Sequence, residues 1–266
     1  MEERHYCFNT EGCGSFWGIL HIPIAKYCSM QCSYCNYRYD RNITSDYWRP
    51  GTSSGIVEGE KAIIDYLKEK NTAFQGIKII GVSGPGDPLE NIEQMKCLVG
   101  VLRKHYPEKY LCMCTNGSIY NDEVQWLLGQ PVLHYITLTI NTMNTDLYPF
   151  IYLKYHNSVV KRNMWENQLK IIRFCVNAGI KVKVNTVYQK GINDSDICDL
   201  FAKLYDEGVN TFNLIPMIRM DGNGSDDLTG YEKLAGELQK KGYPMLKKCL
   251  HCRSDSCSHC GKKGGL

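Results

Sequence analysis

"FWGILHIPIAKYCSMQCSYC" (16–35) runs from an apolar segment directly into three cysteines, Cys28, Cys32 and Cys35, spaced C-x3-C-x2-C. The apolar part, 16–24, reads as a first strand. Three thiols so close make a poor disulfide framework, because one is left over. They also make a poor zinc site, since zinc takes four ligands and usually draws them from two C-x-x-C pairs. Three thiolates from one loop suit a cubane iron–sulfur cluster with one iron left open.

The chain beyond this loop decides where such a cluster would sit. Segments 59–70, 91–105, 121–129, 163–179 and 193–208 read as helices, and 77–84, 110–117, 134–141, 180–188 and 211–218 as strands. The helix over 193–208 is expected to be capped by Asn193 or Asp194 and closed by Gly208. "YLKYHNSVVKRN" (152–163) looks like a solvated loop. Six strands with crossover helices imply a parallel sheet with right-handed connections. Six units are too few for the closed eight-fold barrel, so the expected fold is α/β, a partial (β/α)6 barrel. An N-terminal cysteine-bearing arm (1–15) would precede the barrel (16–218), and a helix with a cysteine-rich tail (219–266) would follow it. Ligands of parallel α/β folds collect at the C-terminal ends of strands, which is where the Cys28 loop leaves the first one.

With 43% hydrophobic and 22% charged residues, the balance is that of an ordinary soluble chain. A net charge of +3 does not indicate nucleic acid as a partner. The start, "MEERHYC", leads into no apolar signal core, and no apolar run is long enough to span a bilayer. A cytoplasmic protein without a membrane partner is therefore expected. Fourteen cysteines are out of place there as disulfides. Soft thiolates select iron–sulfur clusters, zinc or copper(I). Most of them are grouped: Cys7 with Cys13, the triplet, Cys112 with Cys114, and Cys249, Cys252, Cys257 and Cys260. Cys97, Cys175 and Cys198 stand alone in helical patterns and are expected to be packing residues.

The C-x3-C-x2-C triplet after a first strand, with Tyr34 before its last cysteine, resembles the radical S-adenosylmethionine (SAM) enzymes. The resemblance implies that Cys28, Cys32 and Cys35 hold a [4Fe–4S] cluster whose fourth iron binds SAM. It implies reductive cleavage of SAM to a 5′-deoxyadenosyl radical. "GPGDP" at 84–88 resembles the segment that meets the SAM amino group, which makes Gly84, Pro85, Gly86 and Asp87 candidates. The two glycines are expected to let the backbone approach a ligand closely. Thr115 and Asn116 end the third strand, Thr139 and Asn141 the fourth, and Asn185 lies on the fifth, completing a polar ring for SAM.

"HIPIAKYCSMQCSYCNYRYD" (21–40), "GVSGPGDPLEN" (81–91), "YLCMCTNG" (110–117), "KVKVNTVYQKGIND" (181–194) and "CLHCRSD" (249–255) follow the order of the nitrogenase-cofactor maturase family, NifB. That resemblance implies two further [4Fe–4S] units, fused and loaded with a SAM-derived carbide into a nitrogenase-cofactor precursor. It implies methyl transfer and hydrogen abstraction. It also implies a ferredoxin- or flavodoxin-type reductant, an iron–sulfur donor and a cofactor-accepting scaffold protein. By position, Cys7 would join Cys249 and Cys252 on one substrate cluster, and Cys112 would bind the other. The chain departs from the family at Arg41, where a cysteine is expected, and in having Cys13 in place of an N-terminal histidine ligand. Cys13, Cys112 and Cys114 are expected to re-form that site. Taken alone, Cys249 and Cys252 with Cys257 and Cys260 make two C-x-x-C units that suit zinc; alternatively two of these thiols serve the substrate cluster and two an added cluster. A radical SAM peptide or protein modifier with auxiliary clusters remains an alternative, as does a carrier or scaffold without radical chemistry.

Overall fold

The computed structural model describes residues 5–10, 17–35, 55–73, 77–84, 86–155, 158–217 and 228–247. In chain order the elements are β1 (Gly18–Pro23), β2 (Met30–Cys32), α1 (Glu60–Ala73), β3 (Ile77–Ser83), α2 (Ile92–His105), β4 (Tyr110–Thr115) and α3 (Asp122–Leu128). They continue with β5 (Leu133–Thr139), α4 (Tyr148–Ile151), β6 (Tyr152–Tyr155), α5 (Ser158–Asn177), β7 (Lys181–Tyr188), α6 (Ile197–Asp206), β8 (Thr211–Pro216) and α7 (Thr229–Lys240). β1, β3, β4, β5, β7 and β8 pair in that order in one sheet, and every pairing is parallel. This is the α/β architecture expected from the strand–helix alternation.

Strand side chains alternate between two faces, and here the faces differ in kind. Leu20, Ile22, Ile80, Leu111, Ile136 and Val184 point outward into the main apolar cluster, which the helices cover with Leu98, Leu102, Ile172 and Leu200. Phe201 on α6 packs on Phe212 of β8 at 4.6 Å between ring centroids. Burying side chains of this size contributes about 1.5–3 kcal/mol each. Cys175 is fully buried in this layer, with Cys97 and Cys198 partly buried against it, so the three isolated cysteines are packing residues.

The inner face carries a second, smaller cluster: Ile19, Ile79, Cys112 and Tyr135 from the strands, and Phe8 from the N-terminal arm. The His5 and Phe8 rings lie 4.3 and 5.1 Å from that of Tyr135. The chain after α7 returns along β8, where Leu246 N donates to Phe212 O at 2.6 Å. Lys247 N then donates to Asn9 O at 2.9 Å, joining the start of the tail to the arm.

Two local expectations are corrected. Residues 152–163 are not a solvated loop: β6 pairs antiparallel with β2, Tyr152 is buried, and α5 starts at Ser158. Neither Asn193 nor Asp194 caps α6, which begins at Ile197. Asn193 is fully buried, donating to the Asn141 and Val187 carbonyls and accepting from Gln189 N.

On the outer layer, Arg173 of α5 donates from Nε and Nη2 to the two Glu207 carboxylate oxygens, each at 2.7 Å, and Lys203 Nζ adds a third bond at 2.7 Å. The Arg173 bonds, then the Lys203 bond, hold the Glu207 carboxyl down at about 2. A depressed carboxyl contributes stability that is complete above its unfolded value and is lost as pH falls toward the folded one. Glu207→Gln is therefore expected to lower the thermal midpoint of the metal-free chain at pH 7. The gap from the parent should close as pH falls from about 4.5 to about 2. A gap unchanged across that window would contradict the assignment.

Candidate functional site

The loop after β1 is laced to the loop after β3. Gly86 N donates to Ala25 O at 2.9 Å and Asp87 N to Tyr27 O at 2.7 Å. Asn91 Oδ1 accepts from Lys26 N and Tyr27 N, while its Nδ2 donates to the Tyr27 and Asp87 carbonyls. The glycines of "GPGDP" are required by this contact. A Cβ on Gly84 would lie 1.8 Å from Ala25 O, and one on Gly86 would lie 2.3 Å from Tyr27 O. Gly84 also has φ +154°, which disfavours a side chain. The glycines thus admit the chain's own cysteine loop at close range.

Asp87 is buried and joins a third strand end. Its Oδ1 accepts from Thr115 Oγ1 at 2.7 Å and Leu89 N at 3.0 Å, and its Oδ2 accepts from Asn116 N at 2.6 Å. Burial raises its carboxyl, and these three donors pull it back part of the way. Asn141, fully buried, acts likewise between β5 and β7. It accepts from Val187 N at 2.8 Å and donates to the Tyr34 hydroxyl at 2.8 Å, inside the cysteine triplet. Asp87, Thr115 and Asn141 therefore spend these groups on the scaffold.

Cys28, Cys32 and Cys35 are half-buried, and Cys32 lies on β2. Asn116 Nδ2 donates to Cys28 Sγ at 3.7 Å. Burial, with the Asp87 and Glu90 charges, pushes the Cys28 thiol far above its ordinary value. Burial pushes Cys32 up to about 12, against the bond from Tyr34. A thiol in such surroundings keeps its proton unless a metal replaces it. Among the described residues no three His, Cys, Asp or Glu side chains converge on a single ion. A cubane asks for less, since each thiolate binds its own iron. The donor set fits a cluster with three protein thiolates.

Thr139 and Asn185 are paired in register on the inner face at the sheet's C-terminal end and are half-buried. Asn185 accepts from Asn213 Nδ2 at 2.8 Å. Ser83 ends β3 there with its buried hydroxyl unpartnered among the described residues, as is Gln189 Nε2 just past β7. Unspent polar groups around one mouth suit a polar ligand such as SAM. Ser83, Gln189, Asn91 and Glu90 are absent from the sequence-based candidates. Glu90 accepts from Ser29 Oγ at 2.7 Å, and burial, then the Asp87 charge, raises its carboxyl to about 7. Their sequence signal is their place inside the quoted segments 81–91 and 181–194.

Deeper on the same face, the arm brings Cys7 against the Cys112 cluster. Cys112 is buried, whereas Cys114, two residues on along β4 and on the same face, is exposed. Burial first, then the neighbouring Cys114 and Cys7, raise the Cys112 thiol, with Lys183 opposing. Cys13, Arg41, Pro85, Cys249, Cys252, Cys257 and Cys260 lie outside the described residues.

The Radical SAM superfamily pattern matches residues 22–204. The chain belongs to this superfamily, whose members take a [4Fe–4S] cluster and SAM. Among its relatives is the FeMo cofactor biosynthesis protein NifB of Klebsiella pneumoniae, 31% identical over 97% of this chain and 57% of that protein. The NifB of Chlorobaculum tepidum is 28% identical over 98% of this chain and 62% of its own length. The chain thus spans less than two thirds of these relatives. In fold it is similar to Streptococcus suis SuiB bound to S-adenosylmethionine, with a TM-score of 0.62 and 16% identity over 88% of this chain and 51% of that one. Among the described residues no helix is long and apolar enough to cross a membrane.

Asp87→Asn tests the lacing. The amide can accept at one atom only, so its NH2 group must face the Asn116 N–H or the Thr115 hydroxyl and Leu89 N–H. A loss of about 1–3 kcal/mol is expected, read as a lower urea midpoint with unchanged slope. An unchanged midpoint would remove Asp87 from its role as the joint between strands.

Proposed function

We propose that this chain is a radical SAM maturase whose substrate is itself iron–sulfur. It takes [4Fe–4S] units into the half-barrel and fuses them, with SAM as the carbon donor, into a carbide-containing precursor of the nitrogenase cofactor. The observation that carries the reading is the thiol-bearing inner face, where Cys112 and Cys114 of β4 meet Cys7 of the arm. The similarity to NifB proteins along nearly the whole chain supports it.

The residue roles follow from position. Cys28, Cys32 and Cys35 hold the resident cluster. When bound, that cluster and SAM would supply a 5′-deoxyadenosyl radical for hydrogen abstraction, with SAM also the source of the transferred methyl group. Asn116 donates to Cys28 Sγ, and such bonds to sulfur tune a cluster's potential. Ser83, Thr139 and Asn185 offer polar groups to SAM at the mouth, while Gly84, Gly86, Asp87, Thr115 and Asn141 keep the loops in place. Cys7, Cys112 and Cys114 are ligands for substrate clusters. Cys249 and Cys252 follow directly on the segment bonded to the arm and join Cys7, and Cys13 completes the second site in place of the residue lost at Arg41. Cys257 and Cys260 serve a further cluster, or complete a zinc site with Cys249 and Cys252, and Pro85 belongs to the SAM site. Arm, barrel and tail then act as three parts of one cytoplasmic enzyme. It draws on a ferredoxin- or flavodoxin-type reductant, an iron–sulfur donor and an accepting scaffold.

Anaerobic reconstitution with iron, sulfide and dithionite tests this. About twelve irons per chain, as three [4Fe–4S] units, are expected. SAM should be cleaved to 5′-deoxyadenosine, and the product should activate cofactor-free nitrogenase. Cys112→Ser should lose auxiliary iron while the SAM-cluster electron paramagnetic resonance (EPR) signal persists. Extra clusters that survive turnover unchanged would instead indicate a modifier of an external peptide or protein.

A further inference from the structure

The inner face carries a lysine in the middle of a parallel strand. Lys183 of β7 is only 5% exposed. Its register partners are Thr137 on β5 and Thr211 on β8, and Thr137 is paired with Cys114 on β4. One row thus crosses the interior: Cys114, Thr137, Lys183, Thr211. The Lys183 ammonium lies 5.3 Å from the centroid of the Phe8 ring, and its charge acts on both Cys112 and His5. Among the described residues Lys183 makes no ion pair, and the Phe8 ring is the partner it has. An aromatic face offsets only part of the cost of enclosing an ammonium. The Thr137 hydroxyl, on the same row and fully buried, also lacks a partner among the described residues. A lysine this little exposed, with no carboxylate paired to it among the described residues, and an enclosed hydroxyl without a partner describe a place for an anion. The soft thiols of Cys7, Cys112 and Cys114 around them select its chemistry. A cubane bound by thiolates qualifies, since its sulfide and thiolate charge outweighs that of its iron.

We propose that Lys183 is the counter-charge for an anionic iron–sulfur substrate seated against Cys112, Cys7 and Cys114. It is a positioning residue that holds the cluster without ligating it. The inference rests on the maturase reading and adds the group that retains the substrate.

The test compares parent, Lys183→Met and Lys183→Arg after anaerobic reconstitution. Iron and sulfide per chain, release of iron to a chelator, and the EPR signal with and without SAM are measured. Methionine keeps the length and removes the charge. Lys183→Met is expected to melt no lower than the parent, keep the SAM-cluster signal, and release auxiliary iron about 10- to 100-fold faster. Lys183→Arg should restore most of the retention. Should the methionine variant fail to fold, Lys183→Gln makes the same comparison. Parent-like iron retention in the uncharged variant overturns the proposal and leaves the maturase reading intact. Intact iron with a lost SAM response also overturns it, by assigning the ammonium to the SAM carboxylate. A parent that holds one cluster only overturns the maturase reading, and this inference with it.

Discussion

The contact on which the site depends is the lacing of Ala25–Tyr27 to Gly84–Asp87. Among the described residues the cysteine loop has no sheet partner between the end of β1 and Met30, and its path is set by backbone bonds from Gly86 and Asp87 and by the amide of Asn91. These bonds form only because nothing larger than hydrogen stands at positions 84 and 86. Asp87 extends the joint to β4, and Asn141 builds a second one between β5, β7 and Tyr34. Both hubs are enclosed, where leaving one donor unmatched costs the full desolvation of that group. The triplet is thereby held from two sides, by Asn116 against Cys28 and by Asn141 through Tyr34.

The two faces of the sheet divide stability from chemistry. Parallel strands buried on both sides ordinarily read as continuous apolar runs. The outward residues here obey that rule and pack under the helices in one cluster. The inner face breaks it with Cys112, Cys114, Thr137, Lys183, Asn185 and Asn213, and with an arm wedged against its lower part. Each polar residue there gives up core energy that a purely structural strand would have gained, which is why departures from apolar patterning on this face point to function.

The six strands were legible because their apolar periods and closing glycines are local signals. β6 was not, because "YLKY" becomes a strand only by pairing with β2, more than a hundred residues earlier in the chain. The cysteine triplet stood out by its spacing and its place after the first strand. The scaffold contacts of Gly84, Gly86, Asp87 and Asn141 were not legible for a different reason. A glycine that admits a ligand and one that admits a neighbouring loop are the same residue. So are a carboxylate or amide that meets a substrate and one that satisfies backbone N–H groups. Only the partners separate these cases. His5 lay outside the quoted segments and Lys183 was one lysine among several in 181–194, and their significance arises from the arm and β7 meeting inside the sheet's curve.

On the proposed maturase reading, the contrast between the two sets of thiols bears on how a resident cluster and a transient one would share one barrel. Cys28, Cys32 and Cys35 belong to a loop tied by many enclosed hydrogen bonds, so moving them means undoing the ends of three strands. Cys7 belongs to an arm held by ring contacts of His5 and Phe8 on Tyr135, by Lys183 over Phe8, and by the backbone bond from Lys247 to Asn9. Aromatic pairs of this kind are worth about 0.5–1.5 kcal/mol each beyond their buried area, well below the stability of a whole domain. The arm thus rests on contacts separate from those that tie the laced loop. A ligand carried on such an arm suits a cluster that must arrive and leave, just as a ligand on the laced loop suits one that must stay.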